Sequence, residues 1–166
     1  MINRVIASAF ALALAASTLI NANKTMAADS APPENGVVVY YFHNTFRCMS
    51  CNSIESLLKA AILGGKGENT KHKTAIEVTP AYADELKTGK LAFVSLNADE
   101  KENGRLLTKL KAKPKIPVIV VYKNGKFSDP VSLPEVWNLL NDNAKFVAFI
   151  RKNVSDALKK LSNGNK

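Results

Sequence analysis

Cys48 and Cys51 are the only cysteines in the chain, and their spacing constrains it more than any other feature. The run before them, Val37-Val38-Val39-Tyr40-Tyr41-Phe42, is continuously apolar, as in a strand covered on both faces. After them, apolar residues fall at positions 54, 57, 58, 61 and 62, which is helical spacing. The arrangement is therefore a buried strand, a short loop and two thiols at the mouth of a helix. The first thiol meets the helix's unpaired N–H groups and positive dipole end, which favour a thiolate. The second, about one turn on, is placed to close a disulfide with it. The motif reads as a redox centre.

The compartment bears on that reading. Met1–Arg4 carries one positive charge, Val5–Ile20 is apolar and rich in alanine, and Asn21–Asp29 is small and polar. This is the pattern of a secretory signal peptide, with cleavage expected after Ala27 or Ala28. Residues 1–27 are accordingly assigned to a signal, 28–35 to a linker, 36–161 to a single domain and 162–166 to a disordered tail. The apolar stretch is shorter than the roughly 20 residues of a spanning helix, and a retained anchor is the other reading. The chain is expected to be exported, and periplasmic in a bacterium.

Outside the cytosol a cysteine pair can be a structural staple. A loop of about four residues, however, constrains the unfolded chain little. Two thiolates also suit a transferable Cu(I) or Zn(II) ion, but structural zinc needs four ligands and no second pair exists. Asn52 stands where haem attachment requires histidine. The formal charge of +9 comes from lysines spread along the chain, which reads as a solvated surface with some preference for acidic partners or anionic lipid. Nucleic acid is not an expected partner.

Along the chain, Gly64-Gly65-Lys66-Gly67 is expected to end the cysteine helix, and a mobile basic loop containing His72 follows to about Ala75. Thr79-Pro80 reads as a helix start and Gly89 as its end. Lys90–Leu96 is the second strand, Gly104 to about Lys111 a short helix, and Ile116–Tyr122 the third strand. Asn124-Gly125 is a hairpin signal, making Lys126–Val131 an antiparallel edge. Ser132 caps a helix carrying Val136, Trp137, Leu139 and Leu140, and Ala144–Leu161 is an amphipathic last helix. The strand–helix–strand crossovers predict parallel pairing, giving an α/β sheet with helices on both faces.

That order resembles the thioredoxin fold. Three stretches carry the resemblance: Cys48-Met49-Ser50-Cys51 at a helix start, Lys90–Glu100, and Ile116–Phe127 with its proline, strand and Asn-Gly turn. More narrowly, Tyr40 to Glu55 is similar to exported bacterial thioredoxin-like proteins labelled as a nitrophenyl compound nitroreductase subunit. The resemblance implies Cys48 as attacking thiol and Cys51 as resolving thiol. It implies a cis Pro117 facing the pair, with the Ile116 backbone presented to a partner's extended segment. Arg47, Met49 and Ser50 would complete the binding surface. Arg47 stands where thioredoxins have tryptophan, Met49-Ser50 where they have Gly-Pro, and Phe42 where they bury an acid. His43 is the nearest candidate base for Cys51, a hydrogen-bonded strand-end residue being the other reading.

The expected activity is thiol–disulfide exchange, with the Cys48–Cys51 disulfide as its redox group and no cofactor. A protein disulfide or dithiol is the expected partner. The alternatives are a subunit that takes electrons from a membrane donor to a partner reductase, and a Cu(I) or Zn(II) carrier.

Overall fold

The computed structural model describes residues 32–128 and 130–163. The expected signal peptide, the first part of the linker and positions 164–166 of the expected tail lie outside the described residues. Ser162 and Asn163 continue the last helix, Ser162 Oγ donating to Leu158 O, where a disordered tail was expected. The chain opens with β1 (Gly36–His43) and α1 (Met49–Leu63), followed by β2 (Gly65–Asn69), β3 (Thr74–Val78) and α2 (Ala83–Lys87). Then come β4 (Leu91–Asn97), α3 (Lys101–Lys109), β5 (Val118–Lys123), β6 (Lys126–Phe127) and β7 (Val131–Ser132). A single 3-10 turn, Pro134–Trp137, leads into α4 (Asn143–Asn163).

With no polar residue between Val37 and Phe42, β1 lies in the middle of the sheet, parallel to β4 on one side and antiparallel to β5 on the other. Alternation along it supplies two cores. Val37, Val39 and Tyr41 join α1 and α4 on one face. Val38, Tyr40 and Phe42 join Leu106, Leu107, Leu110 and Ala112 on the other. Ile54, Leu57, Leu58, Ala61 and Ile62, the apolar set of α1, are all fully buried, as the spacing predicted. Phe146, Val147, Ile150, Val154, Ala157 and Leu161 form the buried stripe of α4. The result is the expected α/β class: a central mixed sheet with helices on both faces.

Several local expectations are corrected. The basic stretch after α1 is a β2–β3 hairpin, not a mobile loop. Gly64 ends α1 at φ 82, its N–H on Ala60 O, and a Cβ there would come within 2.6 Å of Pro80. Gly67 lets β2 lie directly on α1, since a Cβ there would sit 2.9 Å from the Ala60 methyl. Asn69, 1% exposed, then ties the hairpin to the far end of the chain, its Nδ2 donating to Leu140 O at 2.7 Å and to Asn143 Oδ1 at 2.8 Å.

The helix expected from Thr79 is confined to Ala83–Lys87. Pro80 packs on Gly64, and Tyr82 is buried with its hydroxyl donating to Arg151 O at 2.8 Å, so the chain turns inward before it can coil. The helix expected around 136–140 is one 3-10 turn. Crossover logic holds for β1 and β4 only, because β5 runs antiparallel to β1. The Asn124-Gly125 turn forms as expected, with both residues at positive φ, but the edge beyond it is two short pieces, β6 and β7, both paired to β5. Finally, the Ile116–Pro117 bond is trans, where cis was expected. Trans is the favoured isomer by about 0.5–1 kcal/mol. The change of direction is made at Lys115, which takes φ 67 while its N–H donates to Phe42 O.

Candidate functional site

Cys48 is the N-cap of α1, in extended conformation, and its Sγ accepts the Cys51 N–H at 3.1 Å. The two cysteines are joined in a disulfide with their Cα atoms 5.1 Å apart. Their environments differ sharply. Cys48 is exposed, whereas Cys51 is 1% exposed. A partner sulfur can therefore reach only the first. After reduction, a Cys48 thiolate inherits the N-terminal N–H groups of α1, and no acidic residue in the helix's first turn opposes it. From beneath, the buried Tyr41 hydroxyl donates to Cys51 O at 3.0 Å. Burial pushes that phenol up to about 12, against a smaller opposite pull from Arg47, so it serves as a neutral donor.

The loop that delivers Cys48 is anchored from the opposite strand. Asp99 accepts the Thr45 N–H and the Asn44 amide, each at 2.8 Å, and Asn97 Nδ2 donates to the Thr45 hydroxyl at 3.0 Å. The Thr45 N–H foremost, then the Asn44 amide, hold the Asp99 carboxyl below the usual carboxylate range. A depressed folded-state value contributes above the unfolded pKa of about 3.9 and is lost as pH falls through the folded one. Thr45 amide exchange is thus expected to accelerate, relative to β1 amides, only below about pH 4. Flat protection through that range would contradict the anchor.

On the other side, the β2–β3 turn is clipped to the first turn of α1. Ser53 Oγ and Thr70 Oγ1 both donate to Met49 O, at 2.9 and 3.0 Å, and Lys71 N–H donates to Ser53 Oγ at 3.1 Å. Met49 and Phe46, 65% and 91% exposed, flank Cys48, and Ser50 is half-buried.

Arg47 pairs with Glu55, which also holds Lys59 at 3.0 Å. Glu55 was not foreseen: it stands four residues after Cys51 on a buried helix face, and nothing local in the sequence sets it apart from a solvated glutamate. His43 ends β1 opposite Asn97, its Nδ1 within 3.1 Å of Asn44 O. Phe42 is fully buried against Tyr40, so that position supplies no acid. Pro117 is buried and Ile116 half-buried. Their loop is stitched to the end of β1 by the Lys115–Phe42 bond, to β7 and its sequel by Leu133 N–H on Pro117 O at 2.9 Å, and to Trp137, whose Nε1 donates to Lys115 O at 3.1 Å. Trp137, expected as a packing residue, thus also holds this loop.

The site is a solvent-facing sulfur at a helix N-terminus, joined to a buried one, on a mixed α/β frame. No family model matches the chain, and no curated protein matches it. Among solved structures it is similar to a thioredoxin of Malassezia sympodialis, Mala s 13, at 20% identity over 74% of this chain and 78% of that one, with a TM-score of 0.37. The α/β fold class follows from the strand order and helix placement.

Proposed function

We propose that the chain is an exported thiol–disulfide oxidoreductase whose redox group is the Cys48–Cys51 disulfide. The observation that supports it is the asymmetry of the pair, one sulfur exposed at the cap of α1 and the other buried one turn behind it. In the reductive direction the Cys48 thiolate attacks a partner disulfide and expels one partner thiolate. Cys51, losing its proton, then attacks Cys48 Sγ and releases the second, restoring the internal disulfide. Substoichiometric protein is expected to accelerate the reduction of insulin by dithiothreitol, followed by turbidity. A rate equal to dithiothreitol alone, with insulin and with a small disulfide alike, would contradict the activity.

One observation favours a second reading. Phe46 and Met49 stand uncovered beside Cys48, as suits a surface that seats a dedicated protein partner. In this reading the domain takes electrons from a membrane donor to a partner reductase, with nitroaromatic reduction as the chemistry the narrow resemblance implies. Stable co-purification of a partner together with weak insulin reduction would select it. A metal carrier would have to bind through the two thiolates alone, since no group of three His, Cys, Asp or Glu side chains comes together among the described residues. Metal analysis of reduced protein tests that reading.

A further inference from the structure

Glu55 is a nearly buried carboxylate, 8% exposed, on the face of α1 that carries Cys51 one turn earlier. Helical side chains lean toward the N-terminus of their helix. Here the lean is long, because the Glu55 carboxylate reaches back to Arg47, which precedes both cysteines. The carboxylate thus pairs with the residue that directly precedes Cys48, from a position one turn beyond Cys51. Its other partner is Lys59, from the turn above. Tyr41 faces the same region from β1 as an uncharged phenol, and the β2–β3 turn brings Lys71, His72 and Lys73, all exposed and so screened by water. Two negative charges belong to this region, Glu55 and the Asp99 that anchors the Cys48 loop; Asp99 is exposed and screened by water, whereas Glu55 is the most shielded from solvent of the ionic groups.

Resting on the exchange reading above, we propose that Glu55 is a positioning residue that holds the Cys48–Cys51 couple toward its reducing side. Reduction adds two electrons and one proton to the disulfide, leaving Cys48 as thiolate and Cys51 as thiol, while two glutathione thiols become one glutathione disulfide. The reduced form is thus the one that places negative charge at Cys48. Glu55 acts on that charge twice. It engages the Arg47 guanidinium that would otherwise compensate the thiolate, and it sets its own negative charge nearby in a poorly solvated position.

The sign separates this role from a structural one. Glu55→Gln keeps the shape, removes the charge and releases Arg47, so the pH midpoint of Cys48 alkylation is expected to fall by about one unit. The glutathione equilibrium constant for disulfide formation is expected to drop about tenfold, about 30 mV toward the oxidising side. Arg47→Gln moves both readouts the opposite way, and the double variant lies between the singles. Lys59→Gln, at a solvent-exposed position, leaves Glu55 less compensated and raises the midpoint, which keeps the test intact if Glu55→Gln does not fold. Single variants that shift together, or not at all, overturn the proposal while the wild-type pair still titrates as a couple. A wild-type pair with no reversible couple would instead overturn the exchange reading.

Discussion

Cys48→Ser is expected to lower disulfide exchange by about three orders of magnitude or more, because a hydroxyl at ordinary pH supplies no anionic nucleophile to replace the thiolate. Cys51→Ser is expected to behave differently. Its exposed Cys48 still attacks, but the buried position behind it can no longer resolve the product. The mixed disulfide should therefore accumulate, visible by mass as one covalent adduct that a reductant removes. Folding is a small concern in both, since the pair closes a loop too short to constrain the unfolded chain strongly. If Cys48→Ser retained exchange while Cys51→Ser lost it without trapping an adduct, the two roles would be reversed.

Phe146→Ala is expected to cost about 3–5 kcal/mol, a large share of the margin of an ordinary domain. Phe146 is fully buried in the first turns of α4, in the core shared with β1 and α1. Its ring has no solvent route for collapse, since Leu140 before it and Val147 and Ile150 after it are buried as well. The helix is also tied by polar contacts to α1 and to the segment before α2. Arg151 Nε donates to Ala61 O at 3.1 Å, and its Nη2 bonds Thr79 O. These bonds keep α4 in place while a cavity opens beneath it, so the loss should not be recovered by repacking. Urea unfolding is expected to show a lower midpoint with an unchanged slope, and thermal unfolding a fall on the order of 15 °C. A change of less than about 1 kcal/mol would mean that the α4 stripe is not the core it is described to be.

The parts of this architecture that were legible in the sequence are those where burial and local pattern agree. Val37–Phe42 of β1 is an unbroken buried run, and the apolar spacing of α1 and α4 matches what each helix buries. The Asn-Gly turn carries its own conformational requirement. The β2–β3 hairpin was not legible, because β2 is made of glycine and polar residues alone and owes its order to tertiary contact. Gly67 and Asn69 read as loop residues until α1 and the Leu140 carbonyl are set beside them. The start of α2 failed for a related reason, since Thr79-Pro80 is a sound local cap but Tyr82 gains more by turning inward. Pro117 was read from the resemblance and not from the residues, and Lys115 makes the turn in its place. At the site, the cysteines were plain from their spacing. Glu55 was not, because a lone glutamate on a helix is ordinarily solvated and only its pairing with Arg47 marks it out.

The reduction potential of the Cys48–Cys51 pair decides between redox work and a structural role. Equilibration against glutathione or dithiothreitol buffers, with alkylation and mass readout, is expected to give a reversible two-electron couple between about −120 and −270 mV, the span of exchange proteins. A disulfide that stays oxidised well below about −300 mV would contradict the account, making the pair a structural staple.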